Sequence, residues 1–299
     1  MISEKLKVKD KDGVFYFSLF TFHFSLACVL ALISFVPAEA QKVAILTPDD
    51  SETSRKFAEK LETQLSDRLK IVDNSLAEAA YLSGRAATPF NLTTDESKRI
   101  GSVIGCDAFI LLRSATQRRS SYQRAEYYES YAAIYVVSSR TGRLVLWKLP
   151  RFEALKGDKA EKMLSESAAS LAIEIADNIR LAMKRERSEP ELPTMEEVPD
   201  ENSPASKNFR APIPYRRIKP EYTAEAALYD VSATVDLLVD TDANGSILRA
   251  RIVRWAGFGL DESVEKTVRS MNWRSAERNG KPLPMRFLLR YNFKKIEKQ

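Results

Sequence analysis

The sequence predicts an α+β protein in three pieces. A small single-sheet α/β domain comes first, then a Pro/acidic linker, then a second α+β domain built on a three-stranded antiparallel sheet. Three observations carry this. Short runs rich in β-branched residues alternate with segments whose apolar residues recur at helical spacing. The composition breaks at residues 188–211, where proline and acidic residues replace any apolar period. Beyond that break, three long alternating runs and one helix remain.

Ahead of these pieces stand residues 1–40. Lys5, Lys7, Lys9 and Lys11 precede an uncharged apolar run, Val14 to Val36, followed by Pro37. Two readings fit. One is a secretory signal peptide, with Ala38 and Ala40 as the small residues of an A-x-A site and Gln41 as the new N-terminus. The other is a membrane anchor over residues 14–36, long enough to span a bilayer. Retained, that span carries Ser18 and His23 as candidate membrane-segment residues, since a polar group there is costly and functional by default. Both readings export the rest of the chain, either free after cleavage or tethered to the membrane.

The first domain, residues 42–187, opens with the strand Val43–Thr47. Phe57, Leu61, Leu65 and Leu69 then repeat every four residues, a helix with Asp50 or Ser51 as N-cap. "KIVD" is a second strand, and "SLAEAAYLSG" a short helix stopped by Gly84. "TTDESKRIGSVIG" starts on a capping-box pattern and ends at Gly105. "CDAFILLRSA" reads as a buried strand. "SYAAIYVVSS" and "GRLVLWKLP" form a hairpin around Arg140-Thr141-Gly142, and a long helix follows from about Gly157. Arg118 to Ala133 mixes arginines and tyrosines in an exposed hairpin. The linker, with Pro190, Pro193, Pro199 and Pro204 among acidic residues, reads as extended, flexible and solvated.

In the last piece, residues 212–299, a short helix follows Pro220. Val235, Leu237 and Val239 alternate on one face of a strand, and Leu248, Ala250 and Ile252 on the next. Between them "DTDANG" carries the D-x-D-x-N-G start of a calcium loop. Position 12 of that loop is Arg251 where calcium needs a bidentate glutamate, and the flanks alternate as strands. Asn244-Gly245 therefore reads as a hairpin turn, with Asp240 and Asp242 as solvated turn carboxylates. Val264, Val268 and Met271 mark a helix capped by Asp261, and "MRFLLRYNFK" a last long strand.

The chemistry is narrow. The single histidine is His23, so beyond residue 40 no Ser-His-Asp, Cys-His or histidine-zinc site exists. Cys28 lies in the leader and Cys106 in a strand, which leaves no internal disulfide after the leader. The net charge of +5 is too mild and mixed to predict nucleic-acid binding. No catalytic residues, metal site, cofactor or small-molecule substrate are inferred, and the chain reads as a non-enzyme.

The stretches "VAILTP", "IGCDAFILL" and "YVVSSRTGRLV" make the first domain similar to envelope domains of the curli-secretion and lipoprotein-cofactor type. More specifically, residues 212–295 resemble the C-terminal domain of TonB-type energy transducers. "KPEYTAEA" resembles the family's entry, "ATVDLLVDTDANGSILRARIVRWAG" its first hairpin, and "GLDESVEKTVRSMNWRSAERNGKPLPMRFLLRYNF" its helix, turn and final strand. Thr223 and Ser275 stand where the family has proline, while Met271 and Trp273 replace its aromatic pair.

The resemblance implies a periplasmic protein that binds an extended segment of an outer-membrane transporter, or another envelope protein, by strand addition. It places the receiving edge on Met285–Phe293, with Arg286, Phe287, Leu288, Leu289, Arg290, Tyr291 and Asn292 as partner-binding residues and Lys219 and Tyr222 nearby. Arg286 and Arg290 would keep the edge soluble and face an acidic partner. It also implies an inner-membrane proton-motor complex as partner of a retained anchor. There the family's serine and histidine lie one helical turn apart, whereas Ser18 and His23 are five residues apart. The alternative is a soluble periplasmic binding or adaptor module that bridges envelope partners without energy transduction.

Overall fold

The computed structural model describes residues 41–84, 87–190 and 194–295. The leader residues Ser18, His23, Ala38 and Ala40 lie outside this range. Among the described residues no helix is long and apolar enough to cross a membrane.

The α/β part runs β1 (Lys42–Leu46), α1 (Glu52–Leu65), β2 (Lys70–Ile71), α2 (Asn74–Ser83), α3 (Thr94–Ile104), β3 (Ala108–Arg119), β4 (Tyr127–Ser138), β5 (Leu144–Lys148), β6 (Arg151–Ala154), α4 (Gly157–Glu166) and α5 (Ala168–Ser188). Its strands form one sheet in the order β2-β1-β3-β4-β5, with β6 on the far half of β4. β1 is parallel to β2 and β3, and the rest is antiparallel. The helix starts follow the local chemistry. Ser51 caps α1 by accepting the Ser54 N–H, and Thr93 and Glu96 close a reciprocal capping box on α3.

β4 is buried almost throughout because both sheet faces are covered. On one face Phe57, Leu61 and Leu65 of α1 pack with Leu171, Ile175 and Ile179 of α5. On the other, Tyr81 of α2 and Ile100 and Ile104 of α3 share a core with residues of the C-terminal part, among them Trp255, Phe258 and Leu260.

The C-terminal part comprises β7 (Phe209–Arg210), β8 (Ile213–Pro214), α6 (Ala224–Leu228), β9 (Ala233–Thr241), β10 (Ile247–Arg254), α7 (Leu260–Ser270), β11 (Trp273–Arg274), β12 (Ala276–Arg278), β13 (Lys281–Leu283) and β14 (Met285–Phe293). Its main sheet is three-stranded and antiparallel, in the order β10-β9-β14. Val235, Leu237 and Val239 point inward as the alternation predicts, against Val264 and Val268 of α7.

Leu248 departs from the expected pattern. The register slips by one residue between Ile247 and Arg249, so this bulge turns Leu248 outward at 60% exposure and brings Ile247 to the core instead. Asp242 behaves as a turn residue, accepting the N–H groups of Asn244 and Ser246. Gly245 sits at φ 84°, where a Cβ would lie 2.1 Å from the Trp273 carbonyl oxygen.

The two parts meet through specific contacts. The Asn91 amide donates to the carbonyls of Thr234 and Trp255 and accepts the Thr234 N–H. Tyr131 packs tilted against Tyr229, 4.6 Å between centroids, and Trp147 against Phe258 at 5.0 Å. The arginine–tyrosine hairpin read as exposed contributes here too, since Glu129 accepts from Tyr229 and Arg119 lies over its ring. Nor is the segment read as a solvated linker free along its length. Among its described residues, 196–198 pair with Arg286, Pro204–Ser206 form a 3-10 turn, and Phe209–Arg210 joins β12.

Candidate partner-binding edge

β14 forms because "MRFLLRYNF" alternates and is rich in strand formers. Nine consecutive residues pair with β9, from Met285 opposite Thr241 to Phe293 opposite Ala233, without a register shift. Met285, Phe287 and Phe293 are buried inward and Leu289 is partly buried with them. Phe287 packs on Trp273 with centroids 5.0 Å apart. Tyr222 stacks on Phe293 at 6.3 Å and bonds through its hydroxyl to the carbonyls of Ala226 and Val231, so it braces the end of the strand. Lys219 is exposed and forms no ion pair with any described residue.

The outer face carries Arg286, Leu288, Arg290 and Asn292. Here the expectation for the two arginines needs correction. Arg286 is held by Asp240 in a two-point pair, Nε to Oδ1 at 2.7 Å and Nη2 to Oδ2 at 2.9 Å. Arg290 makes the same pair with Asp236 at the same distances. Across β9, Arg249 and Arg254 reach those carboxylates from β10. Each aspartate thus sits between two guanidiniums, an arrangement that satisfies buried carboxylates well. Asp240, read as a solvated turn carboxylate, is 4% exposed. The Arg286 hydrogen bond holds the Asp240 carboxyl below its usual range against the opposing effect of burial. For Asp236, burial pushes upward, but hydrogen bonds from Arg290 and Arg254 outweigh it and the carboxyl is lowered.

The outward backbone of β14 is engaged at one end. Arg286 turns its N–H and C=O away from β9: its N–H donates to Glu196 O at 2.8 Å and its C=O accepts from Val198 N at 3.0 Å. Strand alternation then aims the backbone groups of Leu288, Arg290 and Asn292 the same way. No described strand pairs with them there. Leu288 is 51% exposed. The Asn292 side chain accepts from the Thr234 hydroxyl at 2.8 Å.

Sequence reasoning missed the Glu196–Val198 contact and the clamping of Asp236 and Asp240 between arginines of β10 and β14. The alternation of Arg249 and Arg251 opposite Asp240 and Leu238 was the available signal for the arginine-rich face.

Residues 218–294 match the family model "Gram-negative bacterial TonB protein C-terminal". No curated protein matches the chain. Among solved structures the chain is similar to a Neisseria meningitidis lipoprotein, at 11% identity over 46% of this chain and 99% of that one, with a TM-score of 0.32. It is also similar to the TonB C-terminal domain of Pseudomonas aeruginosa, at 18% identity over 36% of this chain and 99% of that one, TM-score 0.27. A third is the LpoB C-terminal domain of Salmonella enterica, at 11% identity over 41% and 90%, TM-score 0.25. The C-terminal part of the chain, residues 218–294, is a TonB C-terminal-type domain.

Proposed function

We propose that this is a TonB-like protein of the cell envelope that binds an outer-membrane transporter or another envelope protein by adding an extended partner segment to β14. The observation that carries the reading is the edge itself: a regular nine-residue strand whose outward backbone groups are open from Leu288 to Asn292. Main-chain hydrogen bonds along such an edge give affinity, and alternate side-chain positions give specificity. No catalysis, cofactor or metal enters this reading.

An adaptor role without energy transduction is the second reading. The close packing of the α/β part on the TonB-type domain favours it, because a force-transmitting chain has no evident use for that fixed contact. The mass and N-terminal residue of the protein recovered from membranes separate the two. A chain starting at Gln41 supports the adaptor, and an intact chain in the inner-membrane fraction supports the transducer.

Leu288→Pro tests strand addition. Proline removes an outward N–H that makes no bond to β9, so the sheet survives while the edge is interrupted. Immobilised full-length protein should retain solubilised outer-membrane transporters, and the folded variant should lose at least about tenfold in affinity, the scale of one or two lost hydrogen bonds. Equal retention by the folded variant would overturn the reading.

A further inference from the structure

A pocket of about 270 Å³ opens where the α/β part and the C-terminal part meet. The α/β part contributes the loop Thr88–Asn91 and residues of β3 and β4. The C-terminal part contributes residues of the segments 229–233 and 256–258. Four aromatic side chains line it. The rings of Phe90 and Tyr135 lie 5.6 Å apart, and those of Tyr229 and Phe258 lie 5.9 Å apart. No residue of β14 lines this pocket.

Arg113 stands out against the pattern of its own strand. On β3, Phe109 and Leu111 alternate onto the sheet face that packs on the C-terminal part. Arg113 comes next in that row, opposite Ala133 of β4. Where an apolar side chain would continue the row, a half-buried guanidinium lines the pocket instead. It has no ion pair and no hydrogen bond with any described residue. Its contact is the Phe90 ring, whose centroid lies 5.6 Å from the guanidinium carbon. The other strong polar groups of the wall are engaged. The Asn91 amide is bonded to Thr234 and Trp255, and Asp230 is paired with Lys295. A cation drawn out of water with no anion beside it costs stability.

The backbone at the pocket wall is also strained. Phe258 has φ 53°, between Gly257 at 70° and Gly259 at 72°. Glycine adopts this left-handed region freely, whereas a bulky residue does so at a cost. Contacts with Trp147 and Tyr229 hold Phe258 there and keep it in the wall. Asp230, on the neighbouring segment, has φ 53° as well. Residues held in such conformations gather at ligand sites, where the surrounding structure fixes them in place.

We propose that this pocket binds a small organic anion with one flat apolar ring, an aryl carboxylate. Its carboxylate meets the Arg113 guanidinium and its ring packs on the aromatic wall. A guanidinium matches a carboxylate with two parallel hydrogen bonds, which strengthen where water is partly excluded. One unmatched cation calls for a monoanion, and four aromatic side chains offer tilted and offset contacts to a ring. The volume suits a ligand of a single ring, since sites for drug-sized ligands begin at about 300 Å³. The inference stands apart from strand addition and concerns a different face of the C-terminal part.

The test titrates the full-length protein with phenylacetate, phenylacetamide and acetate, followed by backbone amide shifts in NMR. Phenylacetate should bind saturably with a Kd of about 1 mM or below, the scale for a ligand of about ten non-hydrogen atoms. Phenylacetamide keeps the shape without the charge, and acetate keeps the charge without the ring. Each should bind at least about tenfold more weakly. The shifts should centre on Phe90, Ala133 and Ser232. Arg113→Gln breaks no ion pair of the folded chain, and it should lower phenylacetate to the affinity of phenylacetamide. Phe90→Leu should weaken both aryl ligands alike and keep their ratio. Four results would each overturn the inference: no saturable phenylacetate binding up to about 20 mM, equal affinity for phenylacetamide, shifts confined to the arginine face around Arg251, or a folded Arg113→Gln variant that binds phenylacetate as before. Should Arg113→Gln not fold, the phenylacetate-to-phenylacetamide ratio of the unaltered protein decides.

Discussion

The two edges of the three-stranded sheet are built differently. β10 is interrupted twice, at Ile247/Arg249 and at Ile252/Arg254, and its end is engaged by the α/β part. There Trp255 N–H donates to Leu92 O, and Thr93 bridges Arg254. β14 pairs nine residues without a slip and, among the described residues, is engaged by another segment at Arg286 alone. Bulges and cover are the usual devices by which an edge is made unreceptive, and β14 lacks them over its second half. Under the proposed strand addition, the contrast assigns the entry of a partner strand to β14. Strand content alone does not show this, since both strands carry the same β-rich alternation.

The largest expected effect falls on the clamped carboxylates that stiffen both strands. Asp240→Ala leaves Arg286, 15% exposed, facing Arg249 with no anion between them. Unfolding in urea should show a loss of about 3 kcal/mol, the range for breaking a mostly buried pair from one side. A loss below about 1 kcal/mol would mean that the pair adds little to the sheet.

Gly257→Ala comes next and acts on the contact beside the closed edge. Gly257 has φ 70°, and a Cβ there would lie 2.5 Å from the Trp147 indole nitrogen. The substitution combines left-handed strain with a clash between the two parts, so about 2 kcal/mol is expected. Thermal unfolding measures it, and the amide spectrum of β14 should change less than that of residues 91–93.

A smaller, pH-dependent effect separates the carboxyls of the clamped face from Asp261 behind β10. Asp236 and Asp240 are lowered in the fold, so their contribution is present above about pH 4 and is lost as pH falls below it. Asp261 has the opposite sign. Burial pushes its carboxyl up to about 7, against the N–H groups of Gly257 and Ala256 that bond to it. Its folded form holds the proton more tightly than the unfolded chain, so its contribution is present below about pH 4 and is lost as pH rises to about 7. The slope is at most about 1.4 kcal/mol per pH unit, and Asp261→Asn should flatten it.

Much of this architecture was legible in the sequence. Periodicity marked β9, α7 and β14, because their inward faces are almost wholly apolar and their outward faces mostly polar, with Leu238 and Leu288 as the exceptions. The calcium-like "DTDANG" resolved into a hairpin from the misfit of Arg251 at position 12 and the strand-like alternation of its flanks. What local patterns could not carry were the long-range pairings. Arg286 and Arg290 look like free surface cations until β9 brings Asp240 and Asp236 alongside. Leu248 looks inward until a bulge shifts the register. Glu196–Val198 looks like solvated linker because its partner on β14 is distant in the chain. Each of these is decided by which strands become neighbours, and no window of adjacent residues encodes that.

The open edge can be read directly from backbone amide exchange along β14 in the full-length protein, followed residue by residue by NMR. The amides of Leu288, Arg290 and Asn292 should exchange fast, and those of Phe287, Leu289, Tyr291 and Arg286 slowly, the last because Glu196 O accepts from it. Saturation with an octapeptide of alternating valine and glutamine, a generic strand former, should slow the first three. Protection of Leu288, Arg290 and Asn292 equal to that of their neighbours in the free protein, or no change on peptide saturation, would contradict the account.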